Sequence, residues 1–337
     1  MKANLKLRPQ LGVMLHITPE LNQTPQATYS AFTDLVRKLD AIGFDNAWVT
    51  EHHFNDMSLT PAPLNLIGHF LGKTENIKIG CAALLLGFHN PIEVAEQLAV
   101  LQSLYPHRIL CGFAKGGPFE SQNAAFKADK EISRERMNEA LPAIMQLWNS
   151  GTPQSHQGRH YQWENITLQP RCDMHSQQLF VATGDEQTVQ MAAQNGLGLM
   201  SAQFWDSDKI DQQIKLYTRF AQHAPNMMVA RGLFIDDNPS VARQMALEHI
   251  ELFREEKSKH WGKHPGPMAK LDPEALLSRM LCGSPEQVRQ QLQRLLRMGV
   301  KHLALNPLTH SHQVRFQQLH WFKDEIWQPL MAQSDAA

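Results

Sequence analysis

The sequence predicts an α/β protein, a single (β/α)8 TIM barrel with long insertions on its C-terminal face. Three observations carry this. Eight short apolar runs alternate with longer amphipathic segments. Several of the runs are continuously apolar, which is how strands buried on both faces read. The 337 residues match one barrel of about 250 residues with insertions. An open, doubly wound sheet is the alternative; its weak point is that no G-x-G-x-x-G follows the first run.

The first run is 10–15. Thr24-Pro25 then offers an N-cap and a proline at the first helical position, and Gly43 closes that helix. The second run, 46–50, ends abruptly in Glu51-His52-His53. The third is 77–86, and Asn90-Pro91-Ile92-Glu93 caps the helix behind it with an acid three residues on. The fourth is 109–114. A long polar and aromatic connection, 149–177, carries His156, Trp163 and Pro170. Runs five and six are 178–182 and 198–201, and run seven is 227–235. A second long connection, 255–281, holds Pro265, Gly266, Pro267 and several cations. It reads either as an active-site lid or as a variable insertion. Ser284-Pro285-Glu286-Gln287 caps the last helix, Gly299 stops it, and 302–306 is the eighth run. No repeat and no linker divides residues 1–337, so one domain is expected.

Charge is balanced, with 32 basic and 33 acidic residues, so nothing points to nucleic acid or an anionic membrane as partner. The apolar stretch near the start is short and is broken by His16 and Pro19. No run approaches the roughly 20 apolar residues of a membrane span. Cys81, Cys111, Cys172 and Cys282 lie far apart without a C-x-x-C. They read as reduced thiols in a cytoplasmic protein.

The stretch WVTEHHF, 48–54, poses the functional question. In a barrel, strand two ends near Thr50, which puts the E-H-H triplet at the C-terminal mouth, where such barrels do chemistry. A solvated strand end is the plain alternative. Side chains alternate along extended chain, so Glu51 and His53 point one way and His52 the other. A metal needs three or four convergent ligands. No H-E-x-x-H occurs, and the H-x-H at His310-Ser311-His312 lies elsewhere, so no metal is expected. A histidine acting as base or donor toward an organic cofactor fits better.

A second stretch, Val181-Ala182-Thr183-Gly184-Asp185, ends a strand and opens a helix. Glycine lets backbone approach an anion, and the helix N-terminus supplies N–H groups and partial positive charge. Thr183 or Thr188 adds a hydroxyl. The Asp185 carboxylate repels an anion; it serves as the helix cap or lends only its backbone N–H.

Four blocks carry a family resemblance. They are GFDNAWVTEHHF, IKIGCAALLLGFHNPIEVAEQLAVLQSLYPHRILCGFAKGGP, LFVATGDEQTVQMAAQNGLGLM and LCGSPEQVRQQLQRLLRMGVKHLALN. In that order they resemble the bacterial luciferase-like flavin-dependent monooxygenases, a family that includes the alkanal monooxygenase alpha chain and non-luminous relatives. The resemblance implies a (β/α)8 barrel that uses reduced FMN and O2 on a small organic substrate such as an aldehyde or ketone. It also implies a separate NAD(P)H:flavin reductase as functional partner, and a homodimer.

By residue, the resemblance makes His52 the acid or base, with Glu51 and His53 supporting the mouth. It puts a non-proline cis peptide at Cys81-Ala82-Ala83, where the small Ala82 and Ala83 let a flavin ring lie close. It places Gly184, Asp185 and Thr188 at the phosphate, beside the Thr183 hydroxyl noted above, with Lys115 as the cation. Trp205 lies near the ring or in the core. Two departures mark a divergent branch: Ala114 stands where the luciferase alpha chain has a reactive cysteine, and Gln102 and His107 replace an acid and a glycine. Luminescence is therefore not implied. Deazaflavin-dependent hydride transfer, non-catalytic flavin binding and a metal hydrolase on the same barrel are the other readings.

Overall fold

The computed structural model describes residues 8–117, 119–260 and 272–335. Its strands are β1 (Gln10–Leu15), β2 (Asn46–Val49), β3 (Lys78–Leu85), β4 (Ile109–Ala114), β5 (Gln154–Gln157), β6 (Gln162–Ile166), β7 (Leu179–Ala182), β8 (Gly198–Met200), β9 (Met227–Ile235), β10 (Leu281–Gly283) and β11 (Val300–Pro307). Eight of them pair in parallel in the order β1-β2-β3-β4-β7-β8-β9-β11, and β11 returns to β1. The ring is a closed (β/α)8 barrel with helices between its strands.

The eight expected runs are the eight barrel strands. β1, β4 and β9 have the expected bounds, and the others differ by one or two residues. Three further strands carry no apolar run. β5 and β6 form an antiparallel hairpin inside the 149–177 connection, and their residues are mostly polar and none is buried. β10 adds three residues to the outer edge of β9. The middle of the lid expected at 255–281, residues 261–271, lies outside the described residues. The flanks of that segment are the helices Pro239–His260 and Pro273–Leu277.

The helix ends follow the sequence signals. Thr24 Oγ1 accepts from Ala27 N at 3.2 Å, and Asn90 Oδ1 accepts from Ile92 N at 2.9 Å. Ser284 and Gln287 cap each other reciprocally. Gly43 and Gly299 stand at φ +81° and +94°, a conformation that suits glycine after a helix.

Two apolar layers hold the barrel. The larger lies between strands and helices. The smaller fills the interior with Met14, Trp48, Leu110, Phe180, Met200 and Met228. Trp48 packs edge-on to Phe180 at 5.4 Å, and its Nε1 donates to Asn46 Oδ1 at 2.5 Å. Gly112 lets Met200 reach the axis: a Cβ there would stand 2.1 Å from Met200 Sδ. This packed plug forces any ligand up to the C-terminal mouth.

Candidate active site

Beyond Val49 the chain stays extended, and successive side chains part to opposite sides. His52 faces a cavity of about 330 Å³ at the mouth. Its ring lies 6.0 Å from that of His16, nearly parallel, and edge-on to Phe119 at 6.1 Å. His52 N donates to Thr60 O at 3.3 Å, tying the triplet to the next loop. Met14, Met200 and Met228 make the floor, and Ala82, Ala83 and Ala114 keep one wall thin. The Ala82–Ala83 peptide bond is cis.

Glu51 and His53 turn away from the cavity. Glu51 is buried, and its Oε1 accepts from His53 Nε2 at 2.8 Å and from His89 Nε2 at 2.7 Å. Its Oε2 accepts from Leu85 N at 2.7 Å. Burial alone would raise the Glu51 carboxyl, but the bonds from His53, His89 and Leu85 outweigh it and hold the group below its ordinary range. Burial pulls the other way on His89, where the adjacent carboxylate wins and raises the imidazole. The triplet therefore divides its labour: His52 meets the cavity, and Glu51 anchors the end of β3 just beyond the cis peptide.

A second pocket, of about 360 Å³, adjoins the first and shares Ala114, Ala182, Thr183 and Gly184 with it. Lys115 enters from the end of β4, Gly184 and Asp185 from the end of β7, and Thr188 from the helix Glu186–Gln194. Asp185 is the helix cap. Its Oδ2 accepts from Thr188 N at 3.1 Å and from Thr188 Oγ1 at 2.9 Å, while its own N–H donates to Thr183 Oγ1 at 3.1 Å. Arg134, on the helix Lys130–Asn149, adds a second cation to the lining. Its Nε lies 3.8 Å from Asp185 Oδ1 and has no hydrogen-bond partner among the described residues.

Trp205 lines the first cavity and packs against the core as well. A Cβ on Gly184 would stand 3.3 Å from its indole, so glycine keeps the turn from crowding Trp205. Two guanidiniums, Arg231 buried and Arg279 half-buried, hold the segment that carries Trp205. Arg231 donates to Gln203 O at 3.2 Å and Trp205 O at 3.0 Å. Arg279 donates to Phe204 O at 2.7 Å. Burial, with Arg279 nearby, pulls Arg231 down to about 10, still far above neutrality.

These residues fit a flavin mononucleotide. Helix N–H groups, a side-chain-free Gly184 and two cations suit a phosphate. A thin-walled cavity with an apolar floor suits a flat ring. Among the described residues no group of three or more His, Cys, Asp or Glu side chains is arranged to hold a metal ion.

Sequence reasoning missed His16, His89 and Arg134. His16 directly follows β1, and a polar residue just past a barrel strand is the signal that could have found it. His89 follows β3 and was masked by the helix cap beside it. Arg134 has no local signal; helix docking alone brings it to the pocket.

A family model for luciferase-like monooxygenase matches residues 10–302. The oxygenase component of a flavin-dependent trigonelline monooxygenase from Acinetobacter baylyi is 24% identical over 239 residues, covering 68% of this chain and 66% of that protein. An alkanal monooxygenase alpha chain from the Kryptophanaron alfredi symbiont is 24% identical over 204 residues, 60% of this chain and 56% of that one. The chain thus spans under two thirds of either relative. Among solved structures, monooxygenase RslO1 from Streptomyces bottropensis superposes with a TM-score of 0.84 at 18% identity, covering 95% of this chain and 99% of that one. An F420-dependent secondary alcohol dehydrogenase gives 0.76 at 16% identity, covering 95% and 98%. The oxygenating constituent of 3,6-diketocamphane monooxygenase from Pseudomonas putida, in complex with FMN, gives 0.74 at 17%, covering 95% and 98%. At these identities the structural likeness establishes the fold.

Proposed function

The chain belongs to the luciferase-like monooxygenase family, and from that membership we propose that it is the oxygenating partner of a two-component system. It takes reduced FMN from a separate NAD(P)H:flavin reductase and oxygenates a small organic substrate such as an aldehyde or ketone. One observation supports this above the others: the cavity of His52 and the cis Ala82–Ala83 peptide adjoins the pocket of Lys115, Arg134 and Thr188, with Thr183 and Gly184 lining both.

Lys115, Arg134 and the Thr183–Gly184–Thr188 turn hold the phosphate, and Ala82 and Ala83 give the ring its place. Bound reduced FMN supplies the two electrons with which one atom of O2 enters the substrate and the other leaves as water. His52 gives or takes a proton at an imidazole nitrogen facing the cavity, a role worth about 10²–10⁴-fold in rate. Glu51 holds the end of β3, the strand that carries Ala82 and Ala83, in place through Leu85 N–H. Phe119, edge-on to His52, helps keep water from the reacting atoms.

The test is anaerobic titration with reduced FMN, then mixing with oxygenated buffer and a panel of aldehydes and ketones. Wild type binds reduced FMN and yields oxygenated product. His52→Ala binds it equally and loses about 10²-fold or more of product formation. Full product formation by His52→Ala removes the proposed role of that residue. Failure of the wild type to bind reduced FMN overturns the FMN reading in favour of a deazaflavin.

A further inference from the structure

Ser201 follows β8, and Gln203 lies two residues on; both line the mouth cavity. Ser201 is 7% exposed. Its Oγ and the Gln203 Nε2 are shielded from water, and neither has a hydrogen-bond partner among the described residues. The rest of Gln203 is engaged. Asn306 Nδ2 donates to its Oε1 at 3.0 Å, and Arg231 Nη1 donates to its main-chain carbonyl at 3.2 Å. Asn306 therefore sets the amide, leaving the NH2 as the unsatisfied end.

Buried polar groups are nearly always satisfied, and an orphan is a standing destabilisation. Two orphans on one wall of one cavity point to a ligand that completes them. An amide NH2 only donates, and a hydroxyl donates as readily as it accepts. The matching ligand edge is an acceptor edge.

Resting on the flavin reading above, we propose that Ser201 Oγ and Gln203 Nε2 donate to the carbonyl-bearing pyrimidine edge of the flavin, and that this pair makes the site select the reduced form. The chemistry and the topology agree. In a flavin the N1–C2 carbonyl edge flanks the carbon chain that carries the phosphate. In the barrel β8 flanks β7, which carries the phosphate turn. Reduction loads negative charge onto that edge, and hydrogen bonds to a charged acceptor are roughly twice as strong as neutral ones. The donors therefore favour reduced over oxidised flavin. His52 works from β2, four strands away in either direction around the ring, so selection and proton transfer sit on opposite walls. A deazaflavin has the same pyrimidine edge, so the pair serves either cofactor.

The experiment measures Kd for reduced and for oxidised FMN in wild type, Ser201→Ala, Gln203→Met and Asn306→Asp, with a melting curve of each flavin-free protein. Ser201→Ala and Gln203→Met each weaken reduced FMN about tenfold and oxidised FMN about threefold or less, so the midpoint potential of bound flavin falls. Asn306→Asp gives the Gln203 amide an acceptor in place of a donor, turns its NH2 away from the ligand and reproduces the loss. Flavin-free Ser201→Ala melts no lower than wild type, because it loses an orphan hydroxyl. Unchanged ratios of reduced to oxidised affinity in the two single variants overturn the inference and leave the flavin reading standing. A wild type that binds neither flavin form overturns both.

Discussion

Glu51 receives three hydrogen bonds, from a neighbour two residues on, from the loop after β3 and from the backbone of β3 itself. Such a carboxylate is worth more as an anchor than as a proton donor, because its shifted titration ties the mouth to pH. Glu51 is held below its ordinary 4.5, so its contribution is present above that value and is lost as pH falls through the lowered one. His89 is raised above its ordinary 6.5, so its contribution is full below 6.5 and is lost as pH climbs through the raised value. Both are complete between 4.5 and 6.5. Glu51→Gln should therefore lower stability most in that window, by about 1.5–3 kcal/mol, the worth of a hydrogen bond to a charged group. The gap to wild type should narrow on either side. Melting curves of both proteins across pH check this, and a constant gap would refute the pairing.

The β5–β6 hairpin docks on the helix Lys130–Asn149 chiefly through Glu139, with Glu135 and Gln146 of the same helix also bonded to it. Glu139 accepts from the main-chain N–H groups of Arg159, His160 and Tyr161 and from His156 Nε2. Burial raises this carboxyl and those four donors together lower it below its ordinary range. Glu139→Ala should free the hairpin while the barrel stays folded. Hydrogen exchange would show protection lost across 154–166 and kept in β1 and β4. The same elements explain what was legible in sequence. β1, β4 and β9 are buried along nearly their whole length, so burial wrote itself into uninterrupted apolar runs. β5 and β6 rest on a carboxylate, and polar contacts leave no period to read. Gly184 was legible because it lies between a strand and a helix start, and Lys115, directly after β4, was picked out by the family resemblance. Ser201, Gln203 and Arg134 were not, because an orphan donor and a docked cation are facts of packing.

The proposed anion cradle draws on β4 and β7, paired neighbours in the ring, and on two outer helices. FMN should therefore bind more tightly than riboflavin, which lacks the phosphate. Roughly a tenfold to hundredfold advantage corresponds to one or two charge-assisted hydrogen bonds. Replacing Lys115 and Arg134 together by alanine should bring the ratio close to one, measured by parallel titrations; an undiminished ratio would place the phosphate elsewhere. The methionine floor beneath that ring has another outcome. Met14, Met200 and Met228 come from three different strands and are packed almost free of solvent, and Met200 fills the space a Cβ on Gly112 would need. A thioether that captures a stray oxygen atom becomes a bulkier, polar sulfoxide. Under the proposed oxygenation, each misdirected turnover would threaten the foundation of the barrel. Such a catalyst ages by use instead of by the clock, and its upkeep falls to sulfoxide repair or fresh synthesis.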